Sequence, residues 1–229
     1  MSTDRPFTES VPDNIISLHD YRERKHPRLI RLAPELDNLE MLYSNDTSNE
    51  RMFSLKILFW GLYDDGTVAG LVPWLKGLID CPSLRDPLNG HWQGYHDPGI
   101  DRVFIDAPRH NIIELNASCE YFCYEGNHQT DIIQELPDTL GTHAVLTHNG
   151  FRSFLLTEVV SWRLLANGLI QGMLVDQSRL QSTPVLPGDN CLYPADSNPE
   201  FKYFFQHRIA NKIKQRDPDT LTAMYTLID

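Results

Sequence analysis

FSLKILFWGLYDDGTVAGLVPWL, residues 53–75, is the stretch that decides the fold. An apolar, aromatic run ends at Tyr63, four polar or small residues follow (Asp64-Asp65-Gly66-Thr67), and a second apolar run starts at Val68. Glycine accepts the positive φ that a tight reversal needs, so Asp65-Gly66 between two apolar runs predicts a β-hairpin. Asn149-Gly150 gives the same signal between His143–His148 and a run from Phe151, and Asn167-Gly168 gives it between Glu158–Leu165 and Leu169–Val175. Three such reversals argue for an antiparallel body. Arg102–Asp106, Asn111–Asn116 and Glu120–Glu125 add shorter strand candidates, for roughly eight strands in all. A meander of that size forms a barrel-like or strongly bent sheet. Leu155–Leu165 also fits a 3.6-residue period, but the Asn-Gly turns on either side favour strand.

Outward from this body the patterns turn helical. Leu36, Leu39, Met41 and Leu42 after Pro34 suggest a short N-terminal helix. Asn198-Pro199-Glu200 reads as an N-cap, a proline at the first helical position and an acid beside it. Phe201, Phe204, Phe205, Ile209 and Ile213 then mark one helical face. Asp217-Pro218-Asp219 opens a second helix carrying Leu221, Met224, Tyr225 and Ile228. The expected class is therefore α+β: an N-terminal tail and short helix over 1–50, an antiparallel β domain over 51–195, and a helical pair over 196–229 packed on the sheet. No internal repeat stands out.

The chain has 229 residues, enough to bury a core without staples. Its net charge is −11 and unevenly placed: nine basic against 23 acidic residues lie between 32 and 200. An acidic body repels phosphate backbones, which disfavours a nucleic-acid partner. The basic tract Arg22–Arg31 has that same acidic body as its simplest counter-charge. The first residues carry no apolar signal core, and no apolar run reaches membrane length, so the sequence predicts a soluble, cytoplasmic protein with no membrane partner. Cys81, Cys119, Cys123 and Cys191 then read as reduced thiols. If Glu120–Glu125 is a strand, Cys119 and Cys123 are roughly 13 Å apart, too far to share a metal.

The region with least regular pattern runs from Asp80 to Asp106 and contains GHWQGYHDPG, residues 90–99. Two imidazoles, two aromatic rings and a carboxylate on a glycine-hinged backbone make a candidate binding loop. Trp92 and Tyr95 are the candidate stacking residues for a flat ligand, with Arg85 beside them. His91 and His96, joined by Glu114 and His143 from strands, are the candidate metal ligands. Asp97 or Asp101 is the candidate general base. No phosphate loop, dinucleotide fingerprint, zinc-protease motif or nucleophile elbow is present in the sequence. Two readings follow. One is a binding or regulatory module that contacts a small molecule or a protein through residues 80–106. The other is a metal-assisted enzyme, of hydrolase or isomerase type, on a small β-barrel. The sequence names no cofactor. A homodimer follows if Trp60, Trp74 and Trp92 are not all buried in one core.

Overall fold

The structure is a computed structural model that describes residues 27–44, 52–84, 91–108, 128–148, 153–179 and 184–206. Among the described residues, fifteen strands form four small antiparallel sheets, an arrangement that resembles a small-sheet propeller. Eight strands belong to a first half: β1 (Leu29–Pro34), β2 (Glu40–Ser44), β3 (Met52–Lys56), β4 (Phe59–Tyr63), β5 (Val68–Trp74), β6 (Gly77–Asp80), β7 (His91–Asp97) and β8 (Arg102–Phe104). Seven belong to a second half: β9 (Ile132–Pro137), β10 (Thr142–His148), β11 (Ser153–Glu158), β12 (Ser161–Leu165), β13 (Ile170–Val175), β14 (Leu192–Pro194) and β15 (Phe201–Gln206).

The two halves are the same structure twice. In the first, the strand orders are β1-β4-β5-β6 and β3-β2-β7-β8; in the second they are β9-β12-β13-β14 and β11-β10-β15. Strand for strand, β1 to β7 correspond to β9 to β15. The correspondence extends to single bonds. Leu58 N–H donates to Leu71 O and Val160 N–H to Met173 O, both at 2.9 Å. Thr67 N–H is held by the Asp65 carboxylate and Leu169 N–H by the Asn167 amide oxygen. The left-handed Asn38 (φ 64°) has its counterpart in Gly141 (φ 65°), and Gly66 has its counterpart in Gly168, both at φ 86°. FWGLYDDGTVAGLV (59–72) thus matches SWRLLANGLIQGML (161–174), where Trp, one Leu and two Gly are shared. The expectation of no internal repeat is corrected.

Each repeat closes its two sheets over one core. Met41, Tyr43, Leu55, Trp60, Val72 and Tyr95 fill the first; Ala144, Leu146, Trp162, Leu164, Leu174 and Phe204 fill the second. Burial of these side chains is the main stabilising term. The repeats stack by unlike surfaces. The outer face of the first repeat's β1-β4-β5-β6 sheet brings Leu29, Leu32, Phe59 and Leu71 into the second repeat's core. Gln134 on β9 bonds both backbone groups of Leu32 on the edge strand β1, accepting at 2.7 Å and donating at 2.8 Å. Its side-chain amide does there what another strand would do.

The α+β expectation is overturned. Among the described residues the helical elements are three-residue 3₁₀ turns, at Cys81–Ser83, Gln177–Arg179 and Ala195–Ser197. The stretch after Pro34 is a turn followed by β2, with Leu36 exposed and Leu39 and Met41 buried. Phe201–Gln206, expected to open a helix, is β15, paired with β10. Phe and Tyr suit a pleated surface, and the partner strand supplies backbone bonds that a lone helix face cannot outweigh. Asn198 folds into a local turn instead of capping a helix, its side chain accepting from Glu200 N–H at 2.9 Å. The second expected helix lies outside the described residues. The Asp65-Gly66 and Asn167-Gly168 hairpins are present. Leu155–Leu165 contributes to two strands that meet at Val159-Val160. The sheets are separate small units, not one barrel. No helix among the described residues is long and apolar enough to cross a membrane.

Candidate functional site: the cleft between the repeats

A cleft of about 620 Å³ opens where the first repeat's outer sheet face runs out from under the second repeat. Arg28, Tyr63, Leu78 and Asp80 line it from the first repeat, the Lys76-Gly77 turn closes one side, and Asn167–Ile170 and Asp196 form the opposite lip. The register explains the lining. Phe59 and Leu71 are cross-strand partners, as are Leu71 and Asp80. Side chains alternate along a strand, so Phe59, Tyr63, Leu71, Leu78 and Asp80 share the outer face. Phe59 and Leu71 are covered by the second repeat; Tyr63, Leu78 and Asp80 lie beyond its edge, half-buried.

The polar groups in the cleft are held in place. Asp80 accepts from Ser83 N–H at 3.0 Å, and its charge lies close to the Tyr63 phenol. Burial first, then the neighbouring Asp80, holds the Tyr63 phenol well above its ordinary pKa, so it remains a proton donor. Arg28 donates to Ala166 O across the seam at 3.0 Å and lies 3.8 Å from Asp64. The Lys76 ammonium stands 5.5 Å from the Phe201 ring centre, within cation–π range. Asp196 accepts from Gln171. Cations and carboxylates therefore share one half-apolar hollow.

The second repeat sets this apart from scaffold. Trp60, Gly66 and Gly70 recur as Trp162, Gly168 and Gly172, which packing explains. The residues opposite the cleft groups do not recur: Leu165 stands for Tyr63, Pro194 for Asp80 and Asp131 for Arg28.

The residues expected from sequence lie elsewhere. His91–Asp97 is a strand, not a loop. Tyr95 is 1% exposed, with its ring against Trp60, Trp92 and Phe104 and its oxygen accepting from Gly70 N–H. Burial raises its phenol pKa far above the usual value. Such a ring is core and offers no face to a ligand. Trp92 is half-buried on the same cluster. His96 bonds Asp101 at 3.0 Å, while Asp97 accepts from Gly99 N–H in the hairpin that joins β7 to β8. His91 is exposed at the start of β7, paired with Ser44. His143 is in the other repeat on β10, its Nδ1 2.9 Å from Gly141 O. Arg85 and Glu114 lie outside the described residues, as do Cys119 and Cys123. Among the described residues no three His, Cys, Asp or Glu side chains are grouped to hold a metal ion. Trp60 and Trp74 are both buried within the monomer.

No protein-family model matches the chain, and no curated protein or solved structure shows significant similarity to it.

Proposed function

We propose that this protein is a binding module that holds a small polar molecule in the cleft between its two repeats. The observation that carries this reading is the contrast between equivalent positions. Where one repeat has Leu165 and Pro194, the other has Tyr63 and Asp80 on the wall of the hollow, and capping of the Cys81–Ser83 turn accounts for Asp80 alone. The size fits: small-molecule sites enclose roughly 300–1,000 Å³ and combine apolar walls with a few convergent polar groups. Mixed cations and carboxylates favour a ligand that carries both hydrogen-bond donors and acceptors over a purely apolar one.

The test is a ligand-observed NMR screen of polar metabolites against the purified chain and against Leu78→Trp. Leu78 lines the cleft on the same outer face as Tyr63 and Asp80, so the larger ring occupies the hollow. Binding by the native chain that is lost in Leu78→Trp and weakened in Asp80→Asn supports the reading. Ligands that bind both variants as well as the native chain place the site elsewhere and sink it.

A further inference from the structure

Among the described residues β6 is the last strand of its sheet, so one of its edges is unpaired. Its partner β5 dictates which groups that edge presents. Antiparallel neighbours alternate between pairs that exchange both backbone bonds and pairs that exchange none. Leu71 O takes the Leu58 N–H, so Leu71 faces β4 and forms a non-bonding pair with Asp80. Two residues on, Pro73 has no N–H to exchange, and its pair with Leu78 is non-bonding too. Leu78 and Asp80 therefore turn N–H and C=O to the open edge, while Gly77 and Ile79 hold the ladder. All of Gly77, Leu78, Ile79 and Asp80 line the cleft, so this edge opens into it.

The second repeat blunts the same edge. Pro194 stands opposite Met173 as Asp80 stands opposite Leu71, and Leu192 opposite Val175 as Leu78 opposite Pro73. Proline removes one outward donor outright, a common device for protecting a strand edge. The other, Leu192 N–H, donates to Asp189 O at 3.1 Å. In the first repeat neither the Leu78 nor the Asp80 N–H has a partner among the described residues. Two equivalent edges thus differ at the two groups that would receive another strand, and the open one is in the cleft.

We propose that the ligand of the cleft is a short extended peptide that adds a strand to β6. This rests on the cleft being a binding site and names the chemical class it takes. Main-chain bonds to Leu78 and Asp80 supply affinity, as in other strand additions. β6 has four residues, and at a rise of roughly 3.3 Å per residue a guest of about three or four residues matches it. Charge sets the direction. The strand starts beside Lys76 and ends at Asp80. An antiparallel guest brings its terminal carboxylate to Lys76 and its ammonium to Asp80, whereas a parallel guest meets like charge at both ends. The other charged groups of the cleft are engaged, Arg28 by Ala166 O and Asp64, and Asp196 by Gln171.

The experiment adds Ala-Xaa-Xaa-Ala tetrapeptide mixtures with free ends to the full chain and follows binding by NMR and amide exchange. The Leu78 and Asp80 amides are expected to exchange fast in the peptide-free chain and at least about tenfold slower with bound peptide. Alternation is the signature of an added strand. Methylating the backbone nitrogen of the third peptide residue, or those of the second and fourth, is expected to weaken binding about tenfold in one pattern and little in the other. Lys76→Glu, an exposed turn substitution, is expected to weaken peptides with a free carboxylate more than their amides. Equal effects of the two methylation patterns overturn strand addition, and equal effects on acid and amide overturn the antiparallel direction. Leu78 and Asp80 amides already protected without peptide also overturn the proposal, because the edge is then filled from within the chain. Tetrapeptides that fail to bind, while other polar molecules bind the native chain and not Leu78→Trp, overturn the peptide and leave the cleft as a binding site.

Discussion

Trp60 and Trp162 hold the same place in the two repeats, each donating its indole N–H to a carboxylate just past the preceding edge strand: Trp60 to Glu35, and Trp162 to Asp138 at 2.9 Å. Each ring meets the equivalent aromatic of the next sheet, Tyr95 at 5.0 Å and Phe204 at 4.8 Å. Both indoles are fully buried. Replacing either by Phe keeps much of the packing and takes one donor away from a carboxylate. Asp138 keeps two other donors, from Leu140 and Thr142 N–H, and Glu35 keeps those of Asp37 and Leu39. Trp60→Phe and Trp162→Phe are therefore each expected to lose about 1–3 kcal/mol in urea denaturation, by similar amounts. Loss confined to one of them contradicts the equivalence.

Gly66 and Gly168 separate backbone strain from repeat stacking. Both have φ +86°, so alanine is strained equally at each. A Cβ at Gly66 meets nothing within 4 Å, whereas at Gly168 it comes within 2.6 Å of Arg28 Cγ and 3.1 Å of Leu29 N. Gly66→Ala should cost roughly 1–2 kcal/mol. Gly168→Ala should cost roughly 1–3 kcal/mol more, the price of overpacking the seam. Equal losses in thermal or urea unfolding mean that the seam does not form as described.

The hairpins at Asp65-Gly66 and Asn167-Gly168 were legible in the sequence because their chemistry is local: an Asx side chain bonding two residues on and a glycine at positive φ. The stretch Phe201–Gln206 was not, since Phe201, Phe204 and Phe205 satisfy a helical stripe and a bulged strand alike. What settles it is pairing with β10, more than fifty residues away. The repeat was hidden for a similar reason. Packing demands the tryptophan, the turn glycine and the close-packed Gly70 and Gly172, while the residues between them drift freely. Tyr63, Asp80 and Asp196 meet at one cleft only because two repeats stack, which no spacing along the chain reports.

Gln134 offers a direct reading of that stacking. It is buried, and both of its amide atoms serve Leu32. Gln134→Leu leaves a backbone N–H and C=O of β1 without partners at the seam, at roughly 1–3 kcal/mol for each stranded group. The Leu32 amide should then exchange faster, with the Trp60 and Val72 amides less affected. Uniform acceleration throughout the chain points to global destabilisation without a local seam.

Cys81 is buried beneath the first repeat's sheet, where burial, with a smaller push from Asp80, raises its thiol well above the ordinary value. The thiolate is the reactive form, so native Cys81 should resist alkylation at about pH 8 and react only on unfolding. Its counterpart is Ala195, also fully buried, so Cys81→Ala should fold. Mass spectrometry of the Cys81 peptide after a timed iodoacetamide pulse decides the point; rapid native labelling contradicts the placement.

Tyr63 and Tyr95, like the buried Cys81 thiol, link stability to alkaline pH. Both phenols are held above their usual value, chiefly by burial. The folded chain therefore keeps protons that the unfolded chain gives up. Stability from these groups is whole below the unfolded phenol pKa of about 10 and declines as pH rises past it. Native urea midpoints should be flat with respect to these groups up to about pH 9.5 and fall beyond it. Tyr95→Phe, which copies Phe204, lowers the midpoint at neutral pH by leaving Gly70 N–H unpaired, yet flattens the alkaline fall. A variant that declines as steeply as the native chain between about pH 10 and 11 would show that the Tyr95 proton is not held by the fold.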